Sequence, residues 1–130
     1  MREGTKIALV GDSRDLRART KQFALRILRL YRALPARDEA RILGKQVLRS
    51  GTSIGANYRA ACRARSKAEL IAKLGIVLEE ADETVFWLEL IRDAGIFPEA
   101  KLREIVQEAK ELVAIFVTSV RTAKGLTSSI

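Results

Sequence analysis

Apolar residues recur at steps of three and four along most of this 130-residue chain. That spacing is typical of α-helices that bury one face. The first helix is predicted from about Arg14 to Ala33, with Asp12 or Ser13 as its N-cap. Pro35 ends it, because a proline disfavours helical geometry in the residue before it. Its expected inward residues are Leu16, Phe23, Ile27, Leu30, Tyr31 and Leu34.

The second helix is predicted from about Asp38 to near Arg63, and glycines recur on one side of it at Gly44, Gly51 and Gly55. A glycine inside a helix costs about 1 kcal/mol relative to alanine, which is tolerable where another backbone must come close. The glycines therefore predict close packing against a neighbouring helix. The expected inward residues of the second helix are Leu43, Val47, Ser50, Ile54, Tyr58 and Ala61.

The third helix has the clearest start signal, a capping box from Ser66 to Glu69 in which each side chain satisfies a backbone amide of the other residue. The helix is predicted to reach Asp93 or Ala94 and to stop at Gly95, which suits a left-handed cap. Its expected core residues are Leu70, Leu74, Val77, Leu78, Ala81, Val85 and Leu88.

The fourth helix is predicted from Pro98, which suits the first helical position, to about Ala123. Its apolar stripe consists of Leu102, Ile105, Val106, Ala109, Leu112, Val113, Phe116 and Val120. Four helices with short connections and no strand pattern predict an all-α, up-down-up-down four-helix bundle over residues 14–124. We expect a flexible N-terminal arm at residues 1–13 and a frayed tail at residues 125–130.

Apolar side chains also occur on second, outward faces of the first and third helices. A helix that is apolar on two sides often has a second partner. The chain is therefore expected to assemble into a homo-oligomer. The expected interface residues are Leu25, Leu28, Ile76, Trp87 and Leu90.

The composition excludes most kinds of active site, because the chain has no histidine and one cysteine. Catalytic triads and most zinc or di-iron sites need histidine. We expect no enzyme activity, no cofactor and no metal. Cys62 is expected to be a small packed residue, with a thiol activated by nearby arginines as the alternative. The acids Glu79, Glu80, Asp82 and Glu83 are expected to pair with basic residues across an interface or to be solvated.

No apolar run reaches the length of a membrane span, so no membrane contact is expected and the default location is the cytoplasm. The net charge is +8 and is unevenly distributed. Residues 1–74 hold 18 basic and 6 acidic side chains, and residues 75–130 hold 6 and 10. This uneven distribution predicts that the domain has one basic face and one acidic face. The basic face has three interpretations: it binds a phosphate backbone, it meets the acidic face of a neighbouring subunit, or it only confers solubility.

The basic residues are concentrated on the first helix and at the junction between the second and third helices. No single one is specific, but repeated in the copies of a homo-oligomer they form a continuous positive surface. Binding is expected to be mainly to the backbone, with little base readout. The candidate nucleic-acid-binding residues are Arg17, Lys21, Arg29, Arg49, Arg59, Arg63, Arg65 and Lys67.

The second helix also carries an R-S-x-x-S-I-x-x-N pattern, in which the polar members recur at helical spacing. These polar side chains can form a cluster that recognises a ligand or an RNA group, or they can have a structural role. In the structural interpretation, which we favour, serine bonds the carbonyl one turn back and the asparagine fixes a neighbouring helix end or loop. The pattern matches at Arg49, Ser50, Ser53, Ile54 and Asn57.

This pattern, with residues 63–67 and 75–83, resembles the bacterial four-helix-bundle family of 23S ribosomal RNA intervening-sequence proteins. Relatives include the accessory variability-determinant protein of diversity-generating retroelements. The resemblance implies a ring, commonly a homopentamer, associated with structured RNA or with a reverse transcriptase bound to RNA. Many relatives have a Glu-Gly pair soon after the asparagine, where this chain has Ala60, Ala61 and Cys62.

Two functions follow from these observations. The first is a non-enzymatic, oligomeric protein that binds nucleic acid, with structured RNA favoured over DNA. The alternative is a protein-interaction scaffold whose basic ring docks a partner such as a reverse transcriptase. A reverse transcriptase gene adjacent to the gene of this protein would favour the scaffold. A location of this protein's gene inside a ribosomal RNA insertion would favour a role tied to that RNA.

Overall fold

The computed structural model describes residues 13–125, with side chains from Arg14 onward. These residues form four α-helices: α1 Ser13–Ala33, α2 Asp38–Cys62, α3 Lys67–Asp93 and α4 Glu99–Ala123. Each helix packs against the next one in the chain, and α1 touches α4 only slightly. The predicted all-α four-helix bundle is confirmed. Ser13 is the first residue of α1, so it belongs neither to the predicted arm nor to the N-cap position. The rest of the predicted arm, residues 1–12 with the other N-cap candidate Asp12, and residues 126–130 of the predicted tail lie outside the described residues.

The helix ends follow the local signals closely. The Ser66 hydroxyl accepts the Glu69 N–H at 3.0 Å and so caps α3. The Glu69 carboxylate accepts the N–H of Arg65 at 2.8 Å, one residue earlier than the capping box predicts. Gly95 and Gly125 have φ of 70° and 74°, so each ends its helix in the left-handed region.

The start of α4 differs from the prediction by one residue. Pro98 has an extended conformation, with ψ at 133°, and therefore stands at the N-cap. The first helical residue is Glu99. The fixed φ of proline is compatible with both positions, so its presence alone does not distinguish them.

The core lies between the four helices and holds most of the predicted inward residues. Tyr58 on α2 and Phe116 on α4 are fully buried, with ring centroids 5.4 Å apart across the bundle. Seven predicted core residues are only half-buried: Tyr31, Leu34, Leu43, Leu78, Val85, Val113 and Val120. The core also buries residues that the periodicity did not select, namely Thr20, Ala40, Thr84, Ile91, Ile96, Ser119 and Ala123.

The glycines of α2 face α1 at close range, which confirms the predicted close packing. A methyl group added at Gly51 would lie 2.8 Å from Ile27 Cγ1, and one at Gly55 would lie 3.4 Å from the backbone carbon of Thr20. At Gly44 the nearest atom is Leu34 Cδ1, at 2.8 Å. Small residues on α2 therefore set how near α1 can lie.

No helix in residues 13–125 combines the length and the apolar character that a membrane crossing requires.

Candidate nucleic-acid interface

The antiparallel topology brings the start of α1, the end of α2, the start of α3 and the end of α4 to one end of the bundle. We call this the junction end and define it by residues 14–21, 59–73 and 121–125. Six of the predicted nucleic-acid-binding residues lie here, and all six are exposed: Arg17, Lys21, Arg59, Arg63, Arg65 and Lys67. Sequence reasoning did not include Arg121 and Lys124, which the end of α4 adds to this surface.

Two of the predicted residues lie elsewhere. Arg49, in the middle of α2, reaches across to α3, where its guanidinium lies 3.2 Å from Glu80 Oε1 and also contacts the Glu83 carboxylate. Arg29 lines a separate pocket of about 280 Å³ between α1 and the start of α4, beside Phe97. The structure therefore divides the eight candidates into one cluster and two outliers.

Most of the six clustered candidates have no carboxylate partner in the described residues. Arg65 lies 3.6 Å from Glu69, its neighbour one turn along the chain. Within residues 14–125, no carboxylate comes within 4 Å of the charged nitrogens of the other five clustered candidates, namely Arg17, Lys21, Arg59, Arg63 and Lys67.

Several acids of α3 and α4 are already paired inside the chain. Arg19 donates to Glu108 at 2.7 Å and to Glu111 at 2.8 Å, which fastens α1 to α4. The hydrogen bond to Glu108 raises the pKa of Arg19, and hydrogen bonds from Gln107 and Arg19 lower the pKa of Glu111. Glu80 and Glu83 pair with Arg49 of the same chain, not across an interface as expected. Within residues 14–125, no group of three potential ligand side chains is placed to hold a metal ion.

A groove of about 440 Å³ runs between α1 and α2 beside the junction end. Its lining combines three of the clustered cations with small residues and one hydroxyl. Small residues on two helices form a groove only where they face each other, which requires knowing how α1 pairs with α2. The sequence therefore did not indicate that Thr52 lines this groove. The lining residues are Arg17, Ala18, Lys21, Ala24, Thr52, Gly55, Ala56 and Arg59. We call it the α1–α2 groove.

The serines and the asparagine of the R-S-x-x-S-I-x-x-N pattern form hydrogen bonds within the chain. Ser50 is buried, and its hydroxyl lies 2.9 Å from that of Thr84 on α3. Ser53 donates to the Arg49 carbonyl at 2.6 Å, and Asn57 donates to the Ser53 carbonyl at 2.9 Å. The bond of Asn57 therefore stays within α2 and does not reach a neighbouring helix end or loop. Ile54 is fully buried in the core.

The outward apolar residues do not all lie free. Ile76 is 41% exposed, whereas Leu25, Leu28, Trp87 and Leu90 are half-buried. Trp87 packs against the core and donates its indole N–H to Glu83 at 3.3 Å.

Two further exposed apolar residues, on α2 and α3, escaped the sequence prediction. Phe86 is 55% exposed and stands edge-on to Trp87, with ring centroids 5.0 Å apart, and Ile42 is 62% exposed. Arg49 on α2 and Glu83 on α3 are in contact. Ile42 lies seven residues, or two turns, before Arg49, and Leu90 lies two turns after Glu83. Because α2 and α3 are antiparallel, the two apolar residues stand at one level. We call Ile42, Phe86, Trp87 and Leu90 the α2–α3 patch.

Cys62 is half-buried at the end of α2, and its pKa is raised by that burial. The Tyr58 hydroxyl and the charges of Arg17 and Arg63 act in the opposite direction but do not outweigh the burial. The thiol is thus a packed group and not an activated one.

We expect iodoacetamide to alkylate native Cys62 more slowly at pH 8 than the same residue in urea-unfolded protein. A raised pKa leaves less thiolate at pH 8. The alkylation rate of the native protein should therefore level off at a higher pH than that of the unfolded protein. Mass spectrometry of timed samples measures both rates. Equal rates at pH 8 would contradict the burial of the thiol.

The comparisons with known proteins agree with this fold. A sequence model of the 23S rRNA-intervening sequence protein family matches residues 14–118. A solved structure of a protein of unknown function from the S23 ribosomal protein family of Bacteroides thetaiotaomicron is similar, with 36% identity and a TM-score of 0.78. The match covers 84% of this chain and 97% of that one. A comparison with curated proteins gave no match. The chain belongs to the 23S rRNA-intervening sequence protein family.

Proposed function

We propose that this protein is a non-enzymatic nucleic-acid-binding protein that holds structured RNA through the phosphate backbone. One observation carries the proposal. The junction end brings together six of the predicted cations, all exposed, and five of these six have no carboxylate within 4 Å in residues 14–125. The name of the family refers to 23S rRNA, which supports RNA over DNA as the ligand.

The chemistry of this surface suits a backbone contact. Exposed arginine and lysine side chains displace counterions from phosphates, so the binding constant falls with added salt. Double-stranded RNA is recognised mostly through its shape, its 2′-hydroxyls and its phosphates, because side chains cannot read its narrow major groove. The junction end offers charge from several helix ends at once, which fits a ligand of defined shape better than a single extended strand.

Replacing Arg63 and Lys67 with glutamate is expected to weaken binding to a structured RNA hairpin at least tenfold at 0.15 M salt. Two phosphate contacts are lost, and the slope of log K against log salt concentration should flatten by about 0.7–0.9 per contact. Fluorescence anisotropy over a salt series measures both quantities, with a DNA duplex of matched sequence for comparison.

The matched control is Lys45→Glu with Arg103→Glu. Both residues are exposed, both lie outside the junction end, and neither has a carboxylate within 4 Å in the described part of the chain. This control should keep most of the affinity. Equal losses in the two variants would show generic attraction to the net charge of +8 and would refute the proposal.

We also propose that the protein forms a homo-oligomeric ring, a pentamer, in which the α2–α3 patch meets α1 of the next subunit. The patch is apolar and lies beside the exposed acids Glu79 and Asp82. The outer face of α1 offers Leu25 and Leu28 beside the exposed Arg29 and Arg32. Apolar patches rimmed by opposite charges are typical of protein interfaces.

Light scattering on the purified protein is expected to give a mass about five times the chain mass of 14.5 kDa. Phe86→Glu with Leu90→Glu should lower that mass, because both changes bring charge into the contact. Val117→Glu, which alters an exposed apolar residue on α4, is the control and should not. A monomer at micromolar concentration would contradict the ring.

The alternative function is a scaffold in the cytoplasm whose basic surface docks an acidic protein, such as a reverse transcriptase. The same RNA experiment separates the two. RNA affinity that persists at physiological salt supports the first function. Affinity that vanishes there leaves a protein partner as the ligand of the junction end.

A further inference from the structure

The α1–α2 groove differs from the rest of the basic surface because it is concave and has no acidic lining residue. Its volume, about 440 Å³, lies within the range of small-ligand sites, roughly 300–1,000 Å³. Gly55 is buried and Ala24 is half-buried, so small residues form the floor. Arg17, Lys21 and Arg59 are exposed and stand around it from two helices.

The charges around this floor have no internal partner. In the described residues, no carboxylate lies within 4 Å of the charged nitrogens of Arg17, Lys21 or Arg59. Arg63 extends the positive field at one end, because Arg17 and Arg63 are both close enough to Cys62 to act on its thiol. Like charges around a concave surface focus a positive potential, which an anion in the groove relieves.

We propose that the α1–α2 groove is a phosphate-binding site, in which one phosphate group is held between Arg17 and Lys21 on α1 and Arg59 on α2. The phosphate is either the terminal monoester or an internal diester of a nucleic-acid chain. This inference rests on the proposed RNA function and locates the contact on which the affinity depends most.

The donors favour phosphate over other anions. Each arginine presents a planar fork that fits two phosphate oxygens, and the lysine adds a compact charge with three donors. Thr52 donates its hydroxyl hydrogen to the Leu48 carbonyl at 2.7 Å, so the charged groups supply the donors that face an anion. A terminal monoester has three free oxygens and an internal diester has two, and each oxygen accepts more than one hydrogen bond, so either group can meet all three cations.

The test uses the full-length, ¹⁵N-labelled protein and three probes. These are a short RNA oligonucleotide with a 5′-phosphate, the same oligonucleotide with a 5′-hydroxyl, and inorganic phosphate. We expect RNA to shift the backbone amide resonances of Ala18, Thr52 and Ala56. A shift only with the 5′-phosphate identifies a terminal monoester, and equal shifts with both oligonucleotides identify an internal diester. RNA-induced shifts that leave these three amides unchanged overturn the inference.

A charge-neutral variant separates the groove from diffuse attraction. Ala56→Leu places a larger side chain in the groove without changing any charge, and Ala56 is exposed, so the fold should tolerate it. We expect at least a fivefold loss of RNA affinity and a salt slope lower by about 0.7–0.9, the value for one phosphate contact. Ala114→Leu, at an exposed position on α4, is the control and should bind RNA as the unaltered protein does.

The variants also distinguish failure of the inference from failure of the proposed function. Unchanged RNA affinity in Ala56→Leu, with reduced affinity in the Arg63 and Lys67 variant, refutes the groove and leaves the RNA function standing. If the unaltered protein binds no RNA, the proposed function fails. Inorganic phosphate then tests phosphate binding in the α1–α2 groove independently of RNA. Shifts of the Thr52 and Ala56 amide resonances would support a phosphate site there, and their absence would refute it.

Discussion

Phe116→Ala is expected to lower the free energy of unfolding by about 4 kcal/mol. Phe116 is fully buried on α4 and its ring packs at 54° to that of Tyr58 on α2. Truncation removes transfer free energy, leaves a cavity between two helices that are not neighbours in the chain, and breaks an aromatic pair. Urea unfolding followed by circular dichroism measures the loss, and the melting temperature should fall by about 15 °C.

Val117→Ala is the matched control, because it truncates the next residue on the same helix. Val117 is 40% exposed, so it gives up little buried area. Its loss should stay below about 1 kcal/mol. Similar losses in the two variants would contradict the orientation of α4 described above.

Gly51→Ala and Gly75→Ala are expected to change stability in opposite directions. Both glycines lie inside helices, where replacing glycine with alanine stabilises the helix by about 1 kcal/mol if nothing else changes. At Gly75 nothing lies within 4 Å of an added methyl group, so α3 should gain about that amount. At Gly51 the methyl group would lie 2.8 Å from Cγ1 and 3.0 Å from Cγ2 of Ile27, which is fully buried and cannot move aside easily. Overpacking should outweigh the propensity and leave a net loss of about 2 kcal/mol.

The two glycine variants should therefore differ by about 3 kcal/mol in free energy of unfolding, the sum of the expected gain and loss. Gly44→Ala provides an intermediate case, because the closest atom there is the end of the flexible, half-buried Leu34 side chain. Stabilisation by alanine at Gly51 would show that α1 does not pack closely against the middle of α2.

The helices could be predicted from the sequence almost to the residue, because their ends depend on local chemistry. Pro35, Ser66 and Gly95 act on the backbone within one turn of themselves. The one-residue error at Pro98 has the same origin, since proline suits both an N-cap and a first helical position.

The outward face of α3 was harder to predict. Apolar residues occur around most of that helix, so periodicity does not select a single buried side. Trp87 was expected outside, but its indole reaches Glu83 and its ring packs on the core. Phe86, one residue earlier, takes the exposed position instead.

The candidate site needed contacts between distant parts of the chain. The basic composition of the first 74 residues indicated which residues to consider, but not which of them remain unpaired. Arg49 is neutralised by Glu80 and Glu83, more than thirty residues away along the chain. The α1–α2 groove similarly depends on which small residues of the two helices face each other.

The hydroxyl pair of Ser50 and Thr84 has a consequence for how this chain avoids misfolding. The rest of the α2–α3 seam is mainly aliphatic, and such side chains pack acceptably in more than one alignment. A slide of α3 by one turn, about 5.4 Å, would separate the two hydroxyls and place each opposite hydrocarbon. The hydrogen bond adds only about 1 kcal/mol to the native state. In a shifted alignment each hydroxyl keeps the carbonyl one turn back in its own helix, Glu80 for Thr84 and Val47 for Ser50, so only the bond between the helices is lost. That loss is enough to favour one mutual position of the two helices over others of similar hydrophobic energy.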